Sequence, residues 1–195
     1  EISNLPEDSK VNFIFGSVAD DRVLSKLPVD LEVVFHLACY HGNQSSIAEP
    51  IADHDNNTIT SLKLFEYLKE SKSLRKVVYA AAGCAVAEKT FEDATATSED
   101  APGSLFHDSP YSISKLVGEM YGNYYWNRHQ LPFVKARFQN VYGPREYYKK
   151  NTSSMVIQLG HQILNGNAPR LFEGSDEEMH ESLNKIKVLP KETKI

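Results

Sequence analysis

The chain has 195 residues, enough for one sizeable core with a smaller attached subdomain, and its 41% hydrophobic and 24% charged content is that of a globular protein in water. No apolar run approaches the roughly 18 residues that a membrane span needs, and 26 acidic against 21 basic side chains, a net charge of −5, argue against nucleic acid as a partner. Two cysteines, Cys39 and Cys84, are too few for a disulfide framework, and the opening "EISNLPEDSK" has no signal-peptide pattern, so the expected location is the cytoplasm.

In chain order, "VNFIF" at 11–15 is the first predicted strand, followed by a short helix and then by "LEVVFHLA" at 31–38. Residues 56–70 place Ile59, Leu62, Phe65 and Leu68 at helical spacing. "KVVYAAA" at 76–82 is the next strand, and the polar, Pro/Gly-punctuated stretch 88–110 reads as a surface loop or flap. Ile113, Leu116, Val117, Met120 and Tyr124 then predict a helix over 111–128, "PFVKARF" at 132–138 a strand, and Met155 to Leu164 an amphipathic helix behind the capping candidates Thr152, Ser153 and Ser154. Strands alternating with crossover helices define an α/β, doubly wound parallel sheet. On such sheets ligands bind where the strands end at their carboxyl side. That rule selects "GSVADD" at 16–21, "HLACYHG" at 36–42, "AAAGCAVAE" at 80–88 and "QNVYGPRE" at 139–146.

Tyr111 and Lys115, in "SPYSISK", fall four residues apart near a predicted helix start and so share a face. A free phenol titrates near 10, and bringing it to neutrality takes about three units, roughly 4 kcal/mol. One ammonium about 4 Å away, at an effective dielectric near 20, supplies about that much. The pair is thus chemically suited to moving a proton. A bare Tyr-x-x-x-Lys is common on surface helices, and it is Pro110, the serines at 109, 112 and 114, Glu119 and the preceding small-residue strand end that single this one out.

Five segments in order, "VFHLA", "NNTITSLKLFEYLKE", "VVYAAAGCAVAE", "SPYSISKLVGE" and "ARFQNVYGPRE", resemble the extended short-chain dehydrogenases/reductases, specifically their NAD(P)-dependent nucleotide-sugar epimerases and dehydratases. The later "GPREYYKKNTSSMVIQLGHQILNGNAPRLFEGSDE" is similar in part to ADP-glycero-manno-heptose 6-epimerases. The resemblance implies a Rossmann-like domain over residues 1–142, lacking its first βαβ unit in this chain, and part of a small substrate subdomain over 143–195. It implies NAD, with NADP also possible, as cofactor, a nucleotide sugar as substrate, and a homodimer formed through helices near 55–70 and 111–128. Tyr121, Tyr124, Tyr125 and Trp126 would be either core or interface on the second of these helices.

By position, Tyr111 would be the proton-transferring group, and Lys115 would hold the nicotinamide ribose while lowering the tyrosine pKa. Val18, His36, Leu37, Ala38, His41 and Asn57 would lie along the cofactor, and Asn140 and Arg145 would face the sugar nucleotide. Four departures stand against this pattern. There is no glycine-rich turn of the kind that brings backbone amides to a pyrophosphate. The family's catalytic Ser or Thr falls at Ala82, and Cys84, a weak donor two residues away, is a poor replacement. Ser17 stands in place of an adenine-reading aspartate, and the tail after "LFEGSDEE" does not continue the family's strand and helix. The first and second departures favour an alternative, a non-catalytic remnant acting as scaffold or binding module.

Overall fold

The computed structural model describes residues 10–86, 97–103, 105–144, 146 and 153–169. They belong to two compact units, one of Glu1–Glu88 with Thr97–Gln139 and the other of Lys89–Ala96 with Asn140–Ile195. In the first unit, α1 (Asp21–Leu24) leads to β1 (Val33–His36), then α2 (Asn43–Ala48), α3 (Pro50–His54), a π-helical turn at Asp55–Ile59 and α4 (Thr60–Leu68). After these come β2 (Lys76–Ala82), α5 (Pro110–His129) and β3 (Phe133–Phe138); the second unit holds α6 (Met155–Leu164).

The sheet order is β1-β2-β3 and both pairings are parallel, with Val33 opposite Lys76, Val77 opposite Phe133 and Ala82 opposite Phe138. This register brings the carboxyl ends of the strands to one rim, the rim to which α5 returns. Alternation sends Val34 and His36 of β1 to the face covered by helices and leaves Val33 and Phe35 exposed on the other. Leu64, Phe65 and Leu68 of α4, Val77, Tyr79 and Ala81 of β2, and Tyr125 of α5 form the core, with Val18 and Tyr121 packed at its margin. Each such side chain contributes roughly 1.5–3 kcal/mol by leaving water. Of the aromatic row on α5, Tyr125 is thereby core, whereas Tyr124 and Trp126 are about half exposed.

The predicted strand at 11–15 does not form. Val11, Phe13 and Phe15 are exposed and hydrogen-bond to no strand among the described residues. The resemblance equates this segment with a third strand, and in the common order 3-2-1-4-5-6 a third strand pairs with the second, not with the fourth, which β1 represents. The helix expected from residue 56 begins earlier, because Pro50 at a first helical position starts α3 and the π turn joins it to α4. That turn carries buried Asn57 and Thr58. In the second unit, Ser154 caps α6 by accepting from Ile157 N at 3.4 Å, and Glu146 accepts in turn from Ser154 N at 2.8 Å.

Alpha-helix α5 is set down by Ser109, whose hydroxyl accepts from Ser112 N at 3.3 Å, and by Pro110 in its first turn. Left-handed Gln130 (φ 56°) ends it. Two small residues let it lie close to the sheet: a Cβ on Gly118 would stand 2.0 Å from the Tyr79 hydroxyl, and one on Gly122 would stand 2.0 Å from Phe133 Cζ. Gly118→Ala should therefore cost about 1–3 kcal/mol in urea unfolding despite alanine's better helix propensity. A neutral or stabilising result would mean that α5 shifts freely on the sheet.

Candidate active site

The rim where β1 and β2 end is faced by the first two turns of α5. Lys115 is buried (3% exposed), and its ammonium donates to Ala80 O at 2.8 Å. It stands 5.4 Å from the Tyr79 ring centre and 5.7 Å from that of Tyr111. The His41 ring meets Tyr111 edge-on at 6.1 Å. Ala82, also buried, ends β2 and gives way to a short 3-10 turn, Gly83–Ala85, which carries half-buried Cys84. Its methyl offers no hydrogen bond where a hydroxyl was expected.

Burial pushes the Tyr111 phenol above its ordinary value, and the thiols of Cys39 and Cys84 push the same way. The same burial draws the Lys115 ammonium down, opposed by Cys39, Asp53 and Cys84. The lowering of the tyrosine expected from the lysine alone is not found: desolvation is the largest cause acting on the phenol, and it raises it. Tyr111 holds its proton at neutral pH.

A polar seam beneath the rim fixes this geometry. Asn57 Oδ1 accepts from Tyr40 N at 2.7 Å, while its amide nitrogen shares its two hydrogens among three acceptors, Asp53 Oδ2 at 2.9 Å, Tyr40 O at 3.1 Å and Ser114 Oγ at 3.2 Å. Ser46 Oγ accepts from Tyr111 N at 3.1 Å, and Ser109 Oγ donates to Asn43 Oδ1 at 3.2 Å, tying α2 to the start of α5. Ser114 was noted in the sequence only as part of the surroundings of Tyr111, and Asp53 and Ser46 were not singled out. The separation of four between Asp53 and Asn57 was the available signal, since it puts both on one helical face.

The remaining candidates divide. The His36 imidazole is spent in the core, with Nε2 at 2.9 Å from Ser61 Oγ and the ring against Tyr79 and Phe65. Leu37 and Ala38 are exposed at the end of β1. Val18 packs at the core margin above a turn held by Lys63, which donates to Ala19 O at 2.7 Å. Asn140 belongs to the second unit, and Arg145 lies outside the described residues. Glu119 is engaged with Arg137 and Lys135, so it braces the helix instead of joining the rim.

Burial, with a smaller contribution from Lys115, lowers the His36 pKa to about 4. The unfolded chain takes up this proton below the ordinary histidine value near 6.5, and the native state only below about 4. Stability should therefore fall as pH drops through that window, by up to about 3 kcal/mol from this group. Urea unfolding of the parent and of His36→Gln at pH 7 and pH 4.5 isolates the effect. An equal acid loss in both proteins would place its origin elsewhere.

A Rossmann-like parallel sheet with a buried Lys beside a Tyr at its carboxyl rim is the architecture of a nicotinamide-dependent short-chain dehydrogenase or epimerase. The model of the NAD-dependent epimerase/dehydratase family matches residues 2–180, and the chain belongs to that family. It is 33% identical over 169 residues, 86% of this chain, to the UDP-glucose 4-epimerase of Mycolicibacterium smegmatis, and 28% identical to the dTDP-D-glucose 4,6-dehydratase of Dictyostelium discoideum over 72% of its length. These matches cover 52% and 35% of the relatives, so the chain spans about half or less of the length of the curated proteins it matches. Among solved structures, the Bordetella bronchiseptica enzyme WbmF in complex with NAD+ and UDP is 42% identical with a TM-score of 0.70, over 89% of this chain and 51% of that one. The Bacillus cereus UDP-glucuronic acid 4-epimerase in complex with UDP-glucuronic acid and NAD is 26% identical with a TM-score of 0.75, over 97% and 60%. No helix among the described residues is long and apolar enough to cross a membrane.

Proposed function

We propose that this chain carries the proton-transfer half of an NAD-dependent nucleotide-sugar epimerase or dehydratase, acting through a transient keto-sugar. The observation that carries the reading is the buried Lys115 ammonium beside Tyr111 at the rim where β1 and β2 end. The donor set fits the nicotinamide-ribose end of the cofactor: of its three hydrogens, Lys115 spends one on Ala80 O and engages Cys39 with another, which leaves one for a ribose hydroxyl. Ala82 and Gly83 at the end of β2 put little side-chain bulk at the rim. Leu37, Ala38 and His41 would flank the cofactor, Val18 its adenine, and Asn140 and Arg145 the sugar nucleotide. Bound NAD would supply the acceptor, and later the donor, of a hydride.

Tyr111 would take the hydroxyl proton from the sugar as the carbinol carbon becomes a ketone, and return it when the centre is reduced again. Lys115 would orient the cofactor and, together with its positive nicotinamide ring, offset the burial that raises the phenol. Ser46 and Ser109 hold Tyr111 on the first turn of α5. A homodimer through the exposed parts of α4 and α5, including Tyr124 and Trp126, belongs to the same reading.

The second reading, a scaffold or binding module without turnover, is favoured by Ala82, which offers no hydroxyl to share the proton. Thermal unfolding with added NAD separates the two. Tenfold saturation over Kd is expected to raise the midpoint by about 3–6 °C, and Lys115→Ala is expected to remove the rise. No shift at millimolar NAD would sink the holoenzyme reading for this chain.

A further inference from the structure

Asp53 is a carboxylate placed where carboxylates are seldom found. It lies on α3, is 1% exposed, accepts from Asn57 at Oδ2, and has no hydrogen-bond partner at Oδ1 among the described residues. A buried carboxylate with half its acceptors unpaired costs several kcal/mol unless its charge is offset nearby. Two features of its surroundings supply a use for that charge.

One is the Asn57 amide. Its oxygen must face Tyr40 N, and its nitrogen must face Tyr40 O and Ser114, for the chain leaving β1 to hold its course. Turned over, that amide would set donor against donor at Tyr40 N and acceptor against acceptor at Tyr40 O, and Asp53 adds to this preference. A carboxylate accepts only, so at 2.9 Å Asp53 permits the nitrogen and forbids the oxygen. The residue that follows Tyr40 is His41, whose ring rests on Tyr111, and Ser114, held by the same amide, donates to Tyr111 O at 3.1 Å. The orientation of one buried amide thus reaches both sides of the tyrosine.

The other is Lys115. The groups facing it are His36 and the Cys39 thiol from β1 and its following loop, Tyr79 from β2, Cys84 from the turn after β2, Tyr111 from its own helix, and Asp53 from α3. Of these, Asp53 is the one carboxyl group. It opposes the burial that would strip the ammonium of its proton.

We propose that Asp53 is a positioning residue of this site, fixing the amide of Asn57 against the chain leaving β1 and setting a buried negative charge toward Lys115. The inference rests on the Tyr111/Lys115 reading for its functional meaning, but its test does not need turnover. In the full chain with 13C-labelled lysine, NMR follows the Lys115 titration, assigned with Lys115→Arg, and hydrogen exchange follows the Tyr40 amide. Asp53→Asn keeps an acceptor for Asn57 and loses the charge: Tyr40 protection should hold while Lys115 loses its proton at lower pH. Asp53→Leu loses both, so Tyr40 exchange should also quicken, by on the order of tenfold for one hydrogen bond of about 1.4 kcal/mol.

If the leucine variant does not fold, the asparagine variant still decides the point. An unmoved Lys115 titration in Asp53→Asn overturns the electrostatic role, and lost Tyr40 protection in that variant overturns the division between clamp and charge. Should the variants show these shifts while the parent binds no NAD, the positioning stands and only the catalytic reading fails.

Discussion

Replacing Glu119 by Ala should destabilise the first unit by about 3–5 kcal/mol, the cost of stripping one partner from a buried ion pair. Glu119 is 2% exposed, and Arg137 reaches it with two bonds, Nε to Oε1 at 2.9 Å and Nη2 to Oε2 at 2.8 Å, while Lys135 Nζ stands at 3.5 Å. The carboxylate raises the Arg137 pKa in return. The paired geometry is bidentate, the strongest arrangement available to these groups. Arg137 also donates to Glu99 O at 2.8 Å, so the pair links β3 and α5 to the segment at 97–103. Without the carboxylate, a guanidinium only 16% exposed is left with two donors unpaired. Urea unfolding at pH 7 measures the loss, and a double cycle with Arg137→Met isolates the pair term. A loss below about 1 kcal/mol would show the pair to behave like an exposed surface bridge.

Tyr111→Phe should lower kcat by about 10²–10⁴-fold in any preparation that turns over a nucleotide sugar with NAD, because general acid–base catalysis contributes on that scale. Its stability and its NAD-induced thermal shift should change little, since the ring stays and only the hydroxyl is lost. The phenol of the free chain is raised by burial, with Cys39 and Cys84 adding to the effect. A group that must lose a proton before it can accept one from the sugar then makes kcat/KM climb through the alkaline range. Retained turnover in Tyr111→Phe would transfer the proton chemistry to another group at the rim, with Cys84 the first to examine.

Much of the fold was legible from one-dimensional pattern. The runs at 76–82 and 132–138 are strands within one residue of expectation, and 111–128 is the interior of α5. Serine, proline and helical spacing are local signals and fix where α5 begins, but the apolar spacing did not give its buried face: Ile113, Met120 and Tyr124 are exposed, while Ser112, Ser114, Lys115, Gly118, Glu119, Gly122 and Tyr125 are buried. That Tyr111 and Lys115 share this face at the carboxyl rim also followed from their separation of four.

Other features depended on neighbours distant in sequence. Residues 11–15 have strand composition but no strand, because pairing requires an adjacent strand and β1 is not theirs. The two tyrosines Tyr124 and Tyr125 are chemically alike, yet one is exposed and the other is core, decided by contact with Phe65 and Glu66 of α4. The direction of the Tyr111 shift was settled by desolvation, which depends on everything packed around the ring and not on the lysine four residues away. The sequence by itself determined the parallel α/β scaffold and the juxtaposition of Tyr111 with Lys115, since both arise from periodicity along a single chain segment. Only the tertiary structure decided that Asp53, Asn57 and Ser114 join as one buried seam beneath them, because hydrogen bonds between helices depend on how those helices pack.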